Sequence, residues 1–125
     1  MGDHIRDSDL QSIVVAMVES RTGIENAAAI AAVPGVDAVF IGAMDLAVSL
    51  GHSSRAADEV ERLVAAAATV IRGAAVGLLV SDRTEADAAR RLHASFLVVG
   101  TDQGLLRTGV NRALTQTRHL ETAAD

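Results

Sequence analysis

Two carboxylates open the chemical reading of this chain. Glu19 follows the apolar run Ile13 to Val18 (IVVAMV), and Asp45 follows a second run that ends in Val39-Phe40-Ile41-Gly42. Both runs have the composition of buried strands, so each acid lies at or just beyond the carboxyl end of one. If the strands are adjacent and parallel, both side chains project at one rim, the end at which parallel α/β folds hold ligands. Two carboxylates, completed by water and substrate oxygens, suit Mg²⁺ or Mn²⁺. The same residues also have a plainer reading, with Glu19 complementing a helix dipole and Asp45 serving as an N-cap. Asp102, just after Gly100, is a third acid at that rim, and the N-cap reading suits it better still. The backbone at Gly42, Ala43 and Met44 opens a helix, and its free N–H groups could hold a small anion such as a carboxylate.

Several chemistries are excluded by composition. The chain has 125 residues and no cysteine, which removes disulfides, thiolate metal sites and cysteine nucleophiles. All eleven basic residues are arginine, so neither Schiff-base nor phosphate-loop lysine chemistry can operate from this chain. The formal charge of −5 and the lack of Trp and Tyr argue against a nucleic-acid partner. His4, His52, His93 and His119 show no metal-ligand spacing; only His52 falls near the rim, where a loop role comes first. No Gly-x-Ser-x-Gly, Walker or GxGxxG pattern occurs. The polar, acidic start MGDHIRDSD is unlike a signal peptide, and the apolar stretches are broken by Pro34, Asp37 or Asp45. A soluble cytoplasmic protein without a membrane partner is expected.

The elements that must position the carboxylates read as one domain over residues 1–125, with a polar lead-in over 1–11 and βα units over 12–121. After the first strand, Thr22 or Ser20 can cap a helix carrying Ile24, Ala27, Ala28, Ile30 and Ala31, which Pro34-Gly35 ends. Val36 to Gly51 (VDAVFIGAMDLAVSLG) supplies a strand suited to burial on both faces, a sharp turn at Gly42 and a helix start. The spacing of Val60, Leu63, Val64, Ala67, Val70 and Ile71 predicts a helix over Arg55 to Arg72, stopped by Gly73. Val76 to Val80 is a third strand. Ser81-Asp82 caps a helix to about His93, and Phe96 to Val99 is a fourth strand ending at Gly100. A last helix spans about Gln103 to His119, with Leu105, Leu106, Val110 and Leu114 on one face.

Four βα units in strict alternation mean an α/β fold with a parallel sheet covered by helices. Two architectures compete: an open doubly wound sheet, and half of a (β/α)₈ barrel, which typically needs about 250 residues. A half barrel leaves two unpaired edges and an uncovered inner face, and would have to close against a second copy or a separate partner.

The segment MVESRTGIENAAAIAAVPGVDAVFIGAMDLAVSLGH, Met17 to His52, resembles the second half of the HpcH/HpaI aldolase family, whose pattern runs roughly M/Q-x-E-T/S, E-N, A-V-P-G-V-D, F-I-G-P-x-D-L and S-x-G. AAVGLLVSD (Ala74 to Asp82) and FLVVGTDQGLL (Phe96 to Leu106) are similar to that family's last two strands. The resemblance implies four consecutive βα units equivalent to strands five through eight of a TIM barrel. It implies a class II, divalent-metal-dependent aldolase that cleaves a 4-hydroxy-2-oxo acid to pyruvate and an aldehyde. Glu19 and Asp45 match the family's metal-ligating carboxylates, with Mg²⁺ or Mn²⁺ as cofactor. Gly42, Ala43 and Met44 match the amides that meet the pyruvate carboxylate, and Leu79 its apolar wall. Ala43 stands where the family usually has proline. The family's substrate-positioning arginine and base-linked histidine belong to the first half of the barrel, outside this chain, so its catalytic residues are unknown from here. The expected partners are a small 2-oxo acid and either further copies of the chain or a complementary half barrel. Two other readings remain: a non-catalytic remnant that oligomerises through its sheet edges, and a citrate-lyase-type acyl-CoA enzyme, for whose CoA phosphate no basic patch is apparent.

Overall fold

The computed structural model describes residues 12–121; the lead-in over 1–11 and His4 lie outside the described residues, as does the side chain of His119. The elements are β1 (Val15–Val18), α1 (Arg21–Glu25), α2 (Ala27–Ala31), β2 (Ala38–Ile41), α3 (Ala43–Ser49), α4 (Asp58–Val70), β3 (Ala75–Val80), α5 (Arg83–Arg91), β4 (Ala94–Val99) and α6 (Asp102–Glu121). All neighbouring strands pair in parallel, in the order β1-β2-β3-β4. That order separates the two competing architectures. A doubly wound sheet reverses direction at a switch point, whereas a barrel adds each strand beside the last. The described sheet never reverses.

The core lies between one sheet face and the helices. Val39, Ile41, Leu46 and Val60 are its largest fully enclosed side chains, joined by Val18, Val76, Leu78 and Val80 from the strands and Ile24, Val64 and Ala67 from the helices. Period-two alternation sends Met17, Phe40, Gly77, Leu79 and Phe96 to the opposite face. No described helix covers that face, and Met17 is 59% exposed. The continuous apolar strands predict burial on both faces; only one is covered by described helices. On the open face the Phe40 and Phe96 rings meet edge to face, with centroids 6.3 Å apart.

Local chemistry shifted several expected boundaries. The first helix breaks in two at Asn26, whose side-chain amide donates to the Thr22 carbonyl at 2.8 Å and competes with the helix backbone. Its cap is Ser20, whose hydroxyl accepts from the Gly23 N–H at 3.2 Å. Helix α4 begins at Asp58 instead of Arg55, because Arg55 is drawn away to the ends of other elements. Strand β4 starts at Ala94, two residues early, and a register shift opposite Val76 and Gly77 leaves Ser95 without a counterpart. At the last helix, Thr101 caps and Asp102 lies inside the first turn: the Thr101 hydroxyl accepts from the Gly104 N–H at 3.2 Å. Among the described residues, no helix is long and apolar enough to cross a membrane.

Candidate metal and 2-oxo acid site

Parallel pairing sets Val18 beside Ile41, so the next residues, Glu19 and Gly42, share the carboxyl end of the sheet. The Gly42 N–H donates to the Val18 carbonyl at 2.9 Å and extends that pairing by one step. A side chain at Gly42 would place its Cβ 3.1 Å from Glu19 Cβ and 3.2 Å from Glu19 Oε2. Gly42 has φ −81°, which any residue can adopt, so its missing side chain serves space and not conformation. The glycine is the floor on which the Glu19 carboxylate rests.

Asp45 stands in the first turn of α3, whose N-cap is Gly42; it makes no capping bond, so the N-cap reading of Asp45 gives way to a first-turn position. The Ala43 and Met44 N–H groups find no acceptor among the described residues, as expected for the first turn of a helix. Of the three amides expected to face a carboxylate, Gly42 is thus committed to Val18 and the other two are open. Leu79 is half buried on the open face of β3, and its carbonyl accepts from Arg55 Nη1 at 3.3 Å.

Four other carboxylates at this end are engaged, whereas Asp58 and Glu61, in the first turn of α4, have no such partner among the described residues. Glu59 accepts from His52 Nε2 at 2.9 Å and from Arg21 Nη2 at 2.5 Å, and these bonds, His52 first, hold its carboxyl below the usual range. Glu85 accepts from Arg55 Nη2 at 2.6 Å and from the Ser81 hydroxyl and N–H, each at 2.8 Å. Asp82 caps α5 through the Glu85 N–H at 2.9 Å, and Asp102 accepts from the Gln103 N–H at 2.8 Å. Glu19 and Asp45, by contrast, make no side-chain hydrogen bond or ion pair to any described residue. No three His, Cys, Asp or Glu side chains among the described residues cluster as a complete metal cage. Two uncommitted carboxylates, Glu19 against Gly42 and Asp45 in the helix that Gly42 caps, fit a hard divalent cation that keeps water and substrate oxygens as its remaining ligands.

Residues 2–109 match the family described as HpcH/HpaI aldolase/citrate lyase. The chain belongs to that family. It is 38% identical over 115 residues to a 5-keto-4-deoxy-D-glucarate aldolase of Klebsiella pneumoniae, covering 88% of this chain and 44% of the relative. It is 39% identical over 108 residues to a hydroxypyruvate/pyruvate aldolase of Delftia acidovorans, covering 84% and 40%. An HpcH/HpaI aldolase/citrate lyase family protein from Burkholderia cenocepacia superimposes with a TM-score of 0.82 at 33% identity, covering 93% of this chain and 46% of that one. The citrate synthase SbnG, at 22% identity and TM-score 0.83, shares the fold. The chain thus spans less than half the length of the curated relatives it matches, and its four βα units correspond to about half of a TIM-barrel aldolase.

Sequence reasoning passed over the ion pairs that shape this end. Arg21 and His52 meet on Glu59, and Arg55 reaches both Leu79 and Glu85. A single charged residue carries no spacing signal when its partner is 30 or more positions away, as for Arg55 with Glu85 and Arg21 with Glu59.

Proposed function

We propose that this chain supplies the metal- and pyruvate-binding half of a class II aldolase, cleaving a 4-hydroxy-2-oxo acid to pyruvate and an aldehyde together with a complementary first half. The observation that carries this reading is the pair of uncommitted carboxylates, Glu19 against Gly42 and Asp45 in the first turn of α3, at the ends of neighbouring strands. Glu19 and Asp45 would hold Mg²⁺ or Mn²⁺. Such an ion, when bound, polarises a 2-oxo group and offsets the negative charge that develops as the C3–C4 bond breaks. The Ala43 and Met44 amides would orient the substrate carboxylate, and Leu79 would keep water from its methyl end. The 4-hydroxyl loses a proton and C3 gains one during cleavage; the base for the first transfer would come from the complementary half.

A thermal-shift titration with Mn²⁺, with and without oxalate as a mimic of the pyruvate enolate, tests the subsite. Oxalate is expected to raise the midpoint only when Mn²⁺ is present, and Asp45→Ala or Glu19→Gln should abolish the response. A response that is unchanged in both variants, or absent in the unaltered chain, sinks the proposal. The second reading, a non-catalytic protein that assembles through its sheet, is favoured by the open apolar face around Met17 and Phe96. An inert rim together with a stable assembly would decide for it.

A further inference from the structure

The amino-terminal ends of β3 and β4, opposite the rim that carries Glu19 and Asp45, hold a half-open cavity of about 380 Å³. Its polar wall comes from Thr69, Arg72, His93 and Ser95, with Ile71 and Val76 on the apolar side. No carboxylate lines it, although the chain as a whole carries a formal charge of −5. The Thr69 hydroxyl is spent on the Ala66 carbonyl at 2.7 Å. Arg72 uses one guanidinium nitrogen on the Ile71 carbonyl at 2.8 Å, and among the described residues it has no acidic partner. The His93 ring and the Ser95 hydroxyl likewise bond to no described side chain or backbone group. Donors from three separate segments, after α4, after α5 and within β4, therefore face one space without a counter-charge.

The backbone at His93 takes an uncommon conformation. His93 follows the end of α5 with φ +60°, the only non-glycine at positive φ among the described residues. Glycine is the usual residue there because a side chain crowds the backbone in this conformation. A side chain at this φ carries a steric cost that glycine would not, so His93→Gly should not lower the stability of the fold.

We infer that this cavity binds a phosphoryl group, as free phosphate or as a small phosphate ester. The planar guanidinium fork matches two phosphate oxygens at once, and the imidazole and hydroxyl on the same wall are donors suited to a third. The volume lies in the range of small-ligand pockets, which leaves room for a few carbons beyond the phosphoryl group. The site stands apart from the proposed aldolase chemistry and does not depend on it.

Thermal unfolding of the 125-residue chain, at fixed pH and matched ionic strength, tests the inference with inorganic phosphate and, in a second arm, glycerol 3-phosphate. Both are expected to raise the midpoint in a saturable way, and a tighter ester response would identify an organic phosphate as the ligand. Arg72→Gln should weaken the response about tenfold or more, as expected for loss of a charged hydrogen-bond donor. His93→Gly should weaken it too, while leaving the ligand-free midpoint no lower than that of the unaltered chain. A response retained in both variants, no response in the unaltered chain, or a His93→Gly variant that is itself destabilised overturns the proposal.

Discussion

Gly42 and Gly77 act through the atoms they lack. At Gly42 an added Cβ would press on the Glu19 carboxylate from 3.2 Å, so Gly42→Ala is expected to fold but to displace the carboxylate. Its Mn²⁺-dependent oxalate response should fall well below that of the unaltered chain while the ligand-free midpoint moves little; an undiminished response would show that the glycine floor is irrelevant to the site. Gly77 is a different case. A Cβ there would lie 2.8 Å from Phe40 Cδ2, 2.9 Å from Phe96 Cδ1 and 3.1 Å from the Phe40 Cα. The rings could swing outward over the open face, but the neighbouring strand's backbone cannot. Gly77→Ala should therefore cost about 1–3 kcal/mol, measurable as a shift in denaturant midpoint. The side-chain-free position lets the only two aromatic residues of the chain meet over it.

At the scale of elements, the connection between α3 and α4 is clasped at both ends. His52 and Arg21 share Glu59 on the β1 side, and Arg55 reaches Glu85 and the Leu79 carbonyl on the β3 side. The Arg55 bond, followed by those from Ser81, lowers the Glu85 carboxyl from its ordinary 4.5 to about 2. A carboxyl with a depressed folded-state pKa adds stability above its unfolded value and loses it as pH falls through the folded one. The Glu85 contribution is thus present at neutral pH and fades between about 4.5 and about 2. Because the pair is partly exposed, solvent screening limits it to roughly 1 kcal/mol or less. Chemical denaturation of the unaltered chain and Glu85→Gln should show a gap at pH 6 that closes toward pH 2. A gap independent of pH would mean that the clasp works through packing alone.

At the scale of the whole molecule, the sheet ends at β1 and β4, edges without a partner among the described residues, and one of its faces carries apolar side chains that no described helix covers. Helix α6 adds Leu105, Leu106, Val110 and Leu114, all exposed. Soluble monomers rarely show more than a few hundred Å² of contiguous apolar surface, so these surfaces call for cover by a second copy or by a complementary half barrel. Sedimentation of the purified chain should therefore show a dimer or larger assembly, or a one-to-one complex when the first half of a related aldolase is added. A clean monomer that ignores such a half would contradict the half-barrel assembly.

Much of this was legible from the residues alone because it is local. Apolar runs of strand length, helical spacing and the stops at Gly35 and Gly73, with φ +92° and +84°, depend on neighbours in sequence. So does Asp82 as the cap of α5. The family pattern from Met17 to His52 likewise lies in one stretch, and the proposal for Glu19 and Asp45 rests on it. Strand order was different, since alternation of strands and helices serves an open sheet and a barrel equally well. Only the parallel neighbours Val18 and Ile41 set Glu19 against Gly42, and only the tertiary fold brought Arg55 to Glu85. Periodicity reports which side of an element is apolar; which surface covers it, and which distant charge answers another, is decided by the packing of elements in space.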